Sequence, residues 1–190
     1  QIFLLKQGGI QGGYGEENLF KLARLAKEYQ VNKITIESNF GDGMFTTLFM
    51  PILKKVGYQC AVEEIRHNVQ KEKRIIDTLE PVMNQHRLIV DKQLILDDRK
   101  SIEIYPLEQQ QQYSLFYQMT RLTKDRGSLS HDDRVDCLAI GVADCLDMLA
   151  LDVDEEIQRR LDEELDKQIE EFFEGFNIQT DKTEDSWFEI

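Results

Sequence analysis

Val31-Asn32-Lys33-Ile34-Thr35-Ile36-Glu37-Ser38-Asn39 is the stretch on which the fold turns. It is rich in β-branched residues between polar flanks, the composition of a short strand. Segments of helical period stand on both sides of it. Upstream, Leu19, Leu22, Ala23, Leu25 and Ala26 recur at helical spacing over 16–28, and Glu16 and Glu17 suit the first turn. Downstream, Gly41-Asp42-Gly43 reads as a turn. Met44, Leu48, Ile52 and Leu53 then mark a helix over 44–55 that Gly57 ends and that Pro51 can kink or break. An opening strand at 2–6 and a third at 60–65 complete two successive strand–helix–strand units. That order predicts an α/β fold with parallel pairs.

The rest of the chain extends this pattern. A helix is expected over 71–83, with Ile75, Ile76 and Leu79 inward and Lys71, Lys73 and Arg74 outward. A short strand at 88–90, an irregular stretch at 93–105 and a helix at 113–122 follow. A polar loop, 123–130, leads into a long helix from Asp132 to about Leu149. From Asp152 the character changes: Ile157, Leu161, Leu165, Ile169 and Phe172/Phe173 form one apolar stripe on an acidic helix that Gly175 ends. Residues 180–190 read as a flexible acidic tail. The division is thus a folded body over 1–150 and an amphipathic acidic arm with its tail over 151–190.

The net charge of −13 is concentrated in the arm, where residues 151–190 carry 15 acids against 4 bases. The body is close to neutral and can still carry a local basic rim for phosphates. Cys60, Cys137 and Cys145 are odd in number, match no zinc spacing and read as reduced core residues. No apolar run is long enough to span a membrane, and no signal peptide is present. The chain opens at Gln1 directly into Ile2-Phe3-Leu4-Leu5, which reads as a piece of a longer polypeptide.

Chemistry concentrates in Ser128-Leu129-Ser130-His131-Asp132-Asp133-Arg134-Val135-Asp136. Three acids open a helix, and carboxylates crowd together only where a cation or hydrogen bonds compensate. Ser130 or Asp132 can cap the helix, and Asp133 and Asp136 share a face at three apart. Taken alone, a cap with a dipole partner explains Asp132 and Asp133 as well as a metal does. Glu37 adds a further acid at the carboxyl end of a strand, where open α/β sheets build their sites. Hard oxygen donors of this kind suit Mg²⁺ or Mn²⁺, and a two-metal site suits phosphodiester hydrolysis. Glu63 and Glu64 are expected to be exposed or paired, and His67 and His86 to be structural or surface residues.

In order along the chain come Ile36-Glu37-Ser38-Asn39-Phe40-Gly41-Asp42-Gly43-Met44-Phe45, the segment from Gln70 to Met83, His86-Arg87-Leu88, and His131-Asp132-Asp133-Arg134-Val135-Asp136. By these segments the chain resembles the nuclease domain of phage large terminases of the podovirus type, over roughly residues 1–150. The resemblance implies a ribonuclease H-like mixed sheet flanked by helices. It implies an endonuclease that cuts concatemeric double-stranded viral DNA during packaging, in the cytoplasm of the infected bacterial host. It also implies two Mg²⁺ or Mn²⁺ ions, roughly 3.5–4 Å apart, held by Glu37 and by acids among Asp132, Asp133 and Asp136. His131 would shuttle a proton or shape the surroundings of the site. Arg66, Lys71, Lys73, Arg74, Arg87, Lys124 and Arg126 would hold DNA phosphates. The family's first-strand aspartate is expected upstream of residue 1. No Gly-x-x-x-x-Gly-Lys-Ser/Thr motif of an ATPase motor occurs. Expected partners are that ATPase domain, other terminase subunits, and the portal or procapsid. A catalytically incomplete module for motor or procapsid docking is the alternative. Another ribonuclease H-like nuclease, such as a junction resolvase, would share the acids but not this string of segments.

Overall fold

The computed structural model describes residues 1–38 and 43–180. The turn at Gly41 and Asp42 and the tail from 181 onward lie outside the described residues. The chain divides into two compact units, 1–144 and 145–190.

Elements of the first unit alternate as expected: β1 (Ile2–Leu4), α1 (Glu16–Glu28), β2 (Lys33–Glu37), α2 (Met44–Val56), β3 (Ala61–Ile65), α3 (Lys71–Asn84) and β4 (Leu88–Val90). Then come α4 (Lys92–Ser101), a 3₁₀ turn (Gln110–Tyr113) and α5 (Leu115–Arg121). The helix α6 (Asp133–Thr180) begins in the first unit and continues through the second. Strands pair in two parallel couples, β1 with β4 and β2 with β3. The antiparallel pairing that a mixed sheet requires does not occur among the described residues.

One face of β2–β3 is apolar. Ile34 and Val62 are register partners, and both pack against Leu19, Ala23 and Ala26 of α1 and Phe49, Ile52 and Leu53 of α2. The spacing of 19, 23 and 26 puts these side chains on one stripe of α1, as its period requires. Pro51 does not interrupt α2; the helix runs through it to Gly57, whose φ of 69° gives a left-handed end. Glu64, on the same sheet, acts as a cap from a distance. Its carboxylate accepts from the Gly43 and Thr46 amides and the Thr46 hydroxyl at the start of α2. The Thr46 hydroxyl, the Gly43 amide and the Thr46 amide, in that order, hold its pKa below the usual carboxylate value. A lowered pKa contributes stability above the unfolded value of about 4.3, and that contribution is lost as pH falls through the folded one. Glu64→Ala is therefore expected to lower the melting temperature at pH 7, with the gap to wild type closing on acidification below pH 5. Thermal circular dichroism across pH reads it.

Three further expectations change. Residues 93–101 are helical rather than irregular, and only 102–105 are turns: Asp91 caps α4 by accepting from the Gln93 amide. The buried side of α4 consists of Leu94 and Asp98, so a carboxylate stands where an apolar period would have betrayed the helix. The helix of the arm does not restart near Asp152 or end at Gly175, but runs unbroken from Asp133 to Thr180. The stripe Ile157, Leu161, Leu165 and Ile169 is exposed. None of the three free cysteines is a core residue: Cys137 is exposed, and Cys60 and Cys145 are half-buried.

Candidate functional site

The other face of β2 is polar. Lys33, Thr35 and Glu37 alternate onto it, opposite Ile34 and Ile36. The first turns of α6 meet this face, antiparallel to the strand. At one end Asp144 accepts from the Lys33 ammonium (3.1 Å) and from the Thr35 hydroxyl. At the other end Glu37 and Asp136 approach the same guanidinium, that of Arg74 from α3. The dimensions match: four residues of strand span about 13 Å, and the eight residues from Asp136 to Asp144 span about 12 Å of helix. Lys33 also pairs with Glu63 at 2.8 Å, which places that acid in a surface ion pair.

Asp136 is the buried member of the acid group, with its side chain 4% exposed. Its Oδ1 accepts from Arg74 Nη2 at 2.7 Å, and its Oδ2 lies 3.0 Å from Lys71 Nζ. Lys71 also donates to Asp132 at 2.8 Å. Glu37 stands 3.7 Å from Arg74 Nη2, an ion pair without hydrogen-bond geometry. Burial alone would lower the Lys71 pKa, but its hydrogen bonds to Asp132 and Asp136 outweigh this and push it up to about 12. The stabilising effect of a raised ammonium is complete below its unfolded value of about 10.4, and fades only as pH climbs through the folded one. Lys71 is thus charged throughout the neutral range.

Asp132 and Asp136 are four apart and project to one side of α6, while Asp133, one residue on from Asp132, is exposed. The cap expected from Ser130 or Asp132 is replaced in part by a side chain from α5. The buried Gln118 accepts from the Val135 amide at 3.0 Å and donates to the Gln112 carbonyl. His131 stacks on Tyr113 at 4.1 Å, and Tyr113 stacks on Tyr105 at 3.7 Å, which fixes the imidazole at the approach to α6.

Behind the site lies an ion pair that the sequence did not announce. Arg134 donates to Asp98 (2.8 Å) and Ser101 (2.7 Å), and Asp98 is 1% exposed. Asp98 also accepts from Gln7, the Ser114 hydroxyl and the Leu115 amide. The backbone passes so close to this guanidinium at Gly9 that a Cβ there would lie 3.4 Å from Arg134 Nη2. Asp144 was missed as well. Its signal was available: it falls eight residues after Asp136, on the same side of an otherwise apolar segment.

The basic residues expected on DNA divide into three groups. Lys71 and Arg74 are turned onto the acids. Lys73 is exposed, and with Arg74, Val69, Gln70, Asp77 and Thr78 it lines an open cleft of about 570 Å³. Lys124 and Arg126 are exposed on the 123–130 loop, which folds over the start of α3: Lys124 pairs with Asp77 (3.7 Å), and the Gly127 amide donates to Glu72. Arg66, also exposed, precedes the same end of α3. Arg87 lies past the opposite end of α3, about 20 Å along the helix axis, and does not join the group. His67 and His86 are exposed.

Glu37, Asp132 and Asp136 are hard oxygen donors from two distant segments, the donor chemistry that Mg²⁺ or Mn²⁺ takes. Among the described residues no three ligating side chains are gathered around one point ready for a metal. Lys71 and Arg74 hold the oxygens instead.

Residues 1–88 match the family described as Terminase Bacteriophage T7, Ribonuclease H-like domain. Over 141 residues, 74% of this chain, the sequence is 43% identical to the terminase large subunit of Enterobacteria phage T3. Crossover strands, helices on the sheet and this match define a ribonuclease H-like domain. More particularly, the chain carries a nuclease domain of the phage large-terminase family. The match takes in 24% of the T3 protein, about a quarter of its length. Among the described residues no helix is long and apolar enough to cross a membrane.

Proposed function

We propose that this chain forms the metal-dependent endonuclease part of a viral DNA-packaging terminase, cutting concatemeric double-stranded DNA in the cytoplasm of the infected host. One observation carries the reading: Glu37, at the carboxyl end of β2, and Asp136, in the first turn of α6, converge on a single guanidinium. Nearly a hundred residues of sequence separate them, so the fold itself gathers this negative charge. Glu37, Asp132 and Asp136 would hold Mg²⁺ or Mn²⁺, with Asp133 as a further donor from the exposed side. Bound there, the ions supply positive charge at the scissile phosphate and a water activated at neutral pH. His131, its ring fixed by Tyr113, would take or give a proton at an imidazole nitrogen. Lys73, Lys124 and Arg126, with Arg66, would hold phosphates along the cleft at the start of α3, where such contacts carry position rather than sequence. The ATPase domain, further terminase subunits and the portal or procapsid are the partners of this reading.

A docking module without catalysis is favoured by one fact, the cations already seated on the acids. Cleavage of a linear duplex by full-length protein, with and without Mg²⁺ and with Glu37→Ala, separates the two. The nuclease reading requires metal-dependent cutting that the substitution removes.

A further inference from the structure

Lys71 and Arg74 occupy the oxygens that the proposed metal site needs. We propose that they are exchangeable counter-ions: they neutralise Asp132, Asp136 and Glu37 until divalent cations arrive, then release them and turn to the DNA phosphates alongside. This rests on the nuclease reading and names the residues that make metal and DNA enter the site together.

Four observations support the exchange. Each acid of the group that faces inward has an ammonium or guanidinium on it, at 2.7 to 3.7 Å. Seating divalent ions with both bases in place would set like charges a few ångströms apart, and burial strengthens that repulsion. Arg74 is held incompletely: its Nε is buried and has no hydrogen-bond partner, so the present position does not satisfy the whole fork. Open space adjoins it, because Arg74 also lines the cleft of about 570 Å³ beside Lys73. Lys71 is 36% exposed on a flexible stem and can swing without unpacking the core. Once released from the carboxylates, both bases add their charge to the Lys73, Lys124 and Arg126 side of the site. Coupling between two ligands is reciprocal, so Mn²⁺ would tighten DNA binding by the factor by which DNA tightens Mn²⁺.

The test is calorimetric titration of Mn²⁺ into the full chain, alone and with a short duplex of arbitrary sequence, for wild type, Lys71→Gln, Arg74→Gln and Glu37→Gln. Lys71→Gln and Arg74→Gln are expected to bind Mn²⁺ roughly tenfold more tightly than wild type, and to lose most of the gain in DNA affinity that Mn²⁺ brings. Should Arg74→Gln fail to fold, Lys71→Gln carries the test, since its side chain is partly exposed. Mn²⁺ binding that Glu37→Gln weakens but Lys71→Gln leaves unchanged would overturn the exchange and leave the metal site standing. Absence of Mn²⁺ binding in every protein at millimolar concentration would overturn both.

Discussion

Asp98→Ala is expected to destabilise the first unit by about 3–5 kcal/mol. Asp98 is 1% exposed, and its carboxylate is the acceptor for Arg134, Gln7, Ser114 and the Leu115 amide. Removing it leaves the Arg134 guanidinium, itself 7% exposed, without a counter-charge in a dry place. The same loss frees the donors that tie α4 to the start of α5 and to Gln7, beyond the end of β1. Domains of this size have total stabilities of about 5–15 kcal/mol, so the change removes a large share. Urea unfolding followed by circular dichroism measures it. Replacing both partners by apolar residues, Asp98→Leu with Arg134→Met, is expected to be milder than Asp98→Ala, because no orphaned charge remains. A double variant as unstable as the sum of the singles would show that the two residues act separately.

The second large effect is on cleavage. Glu37→Ala in full-length protein is expected to slow Mg²⁺-dependent cutting about 10³-fold, which corresponds to about 4 kcal/mol of transition-state stabilisation. Glu37 is half-buried and, among the described residues, meets α3 through a 3.7 Å ion pair to Arg74 without hydrogen-bond geometry, so folding should survive the change. Asp136→Ala should lose as much activity and also melt earlier, since it takes from Arg74 its hydrogen-bonded counter-charge and from Lys71 one of its two carboxylates. Asp133→Ala removes an exposed side chain and should not alter the melting temperature. A nicking assay with melting curves for all three variants gives the ranking. Wild-type cleavage by Glu37→Ala would end the nuclease reading.

The legibility of the fold follows the location of its apolar side chains. The helix over 16–28 was readable to the residue because Leu19, Ala23 and Ala26 keep its period and no polar group lies on the buried stripe. Residues 92–101 were opaque for the converse reason: Asp98 sits on the buried side, and its partners come from 7, 114 and 134, which no local window contains. The acids themselves stood out as residue types in the wrong company. Their facing did not, because a three-apart pair and a four-apart pair look alike until the helix is docked. The structure turns Asp132 with Asp136 and leaves Asp133 outside. Lys71 and Arg74 read as an outward face because their neighbour Lys73 is one. Their three-residue spacing, next to the fully buried Ile75, was the trace of an inward role.

The strand–helix clasp has a consequence for how the polypeptide acquires its chemistry. The bonds from β2 to Asp144 join residues 109 and 111 apart, whereas β2, α2 and β3 are neighbours along the chain. Local couples close first, because ring closure over a hundred residues is slower than closure over thirty. The carboxylates of Glu37 and Asp136 are therefore expected to meet only at the last stage of folding. Until then a nascent chain lacks the shared guanidinium contact that draws these two acids together.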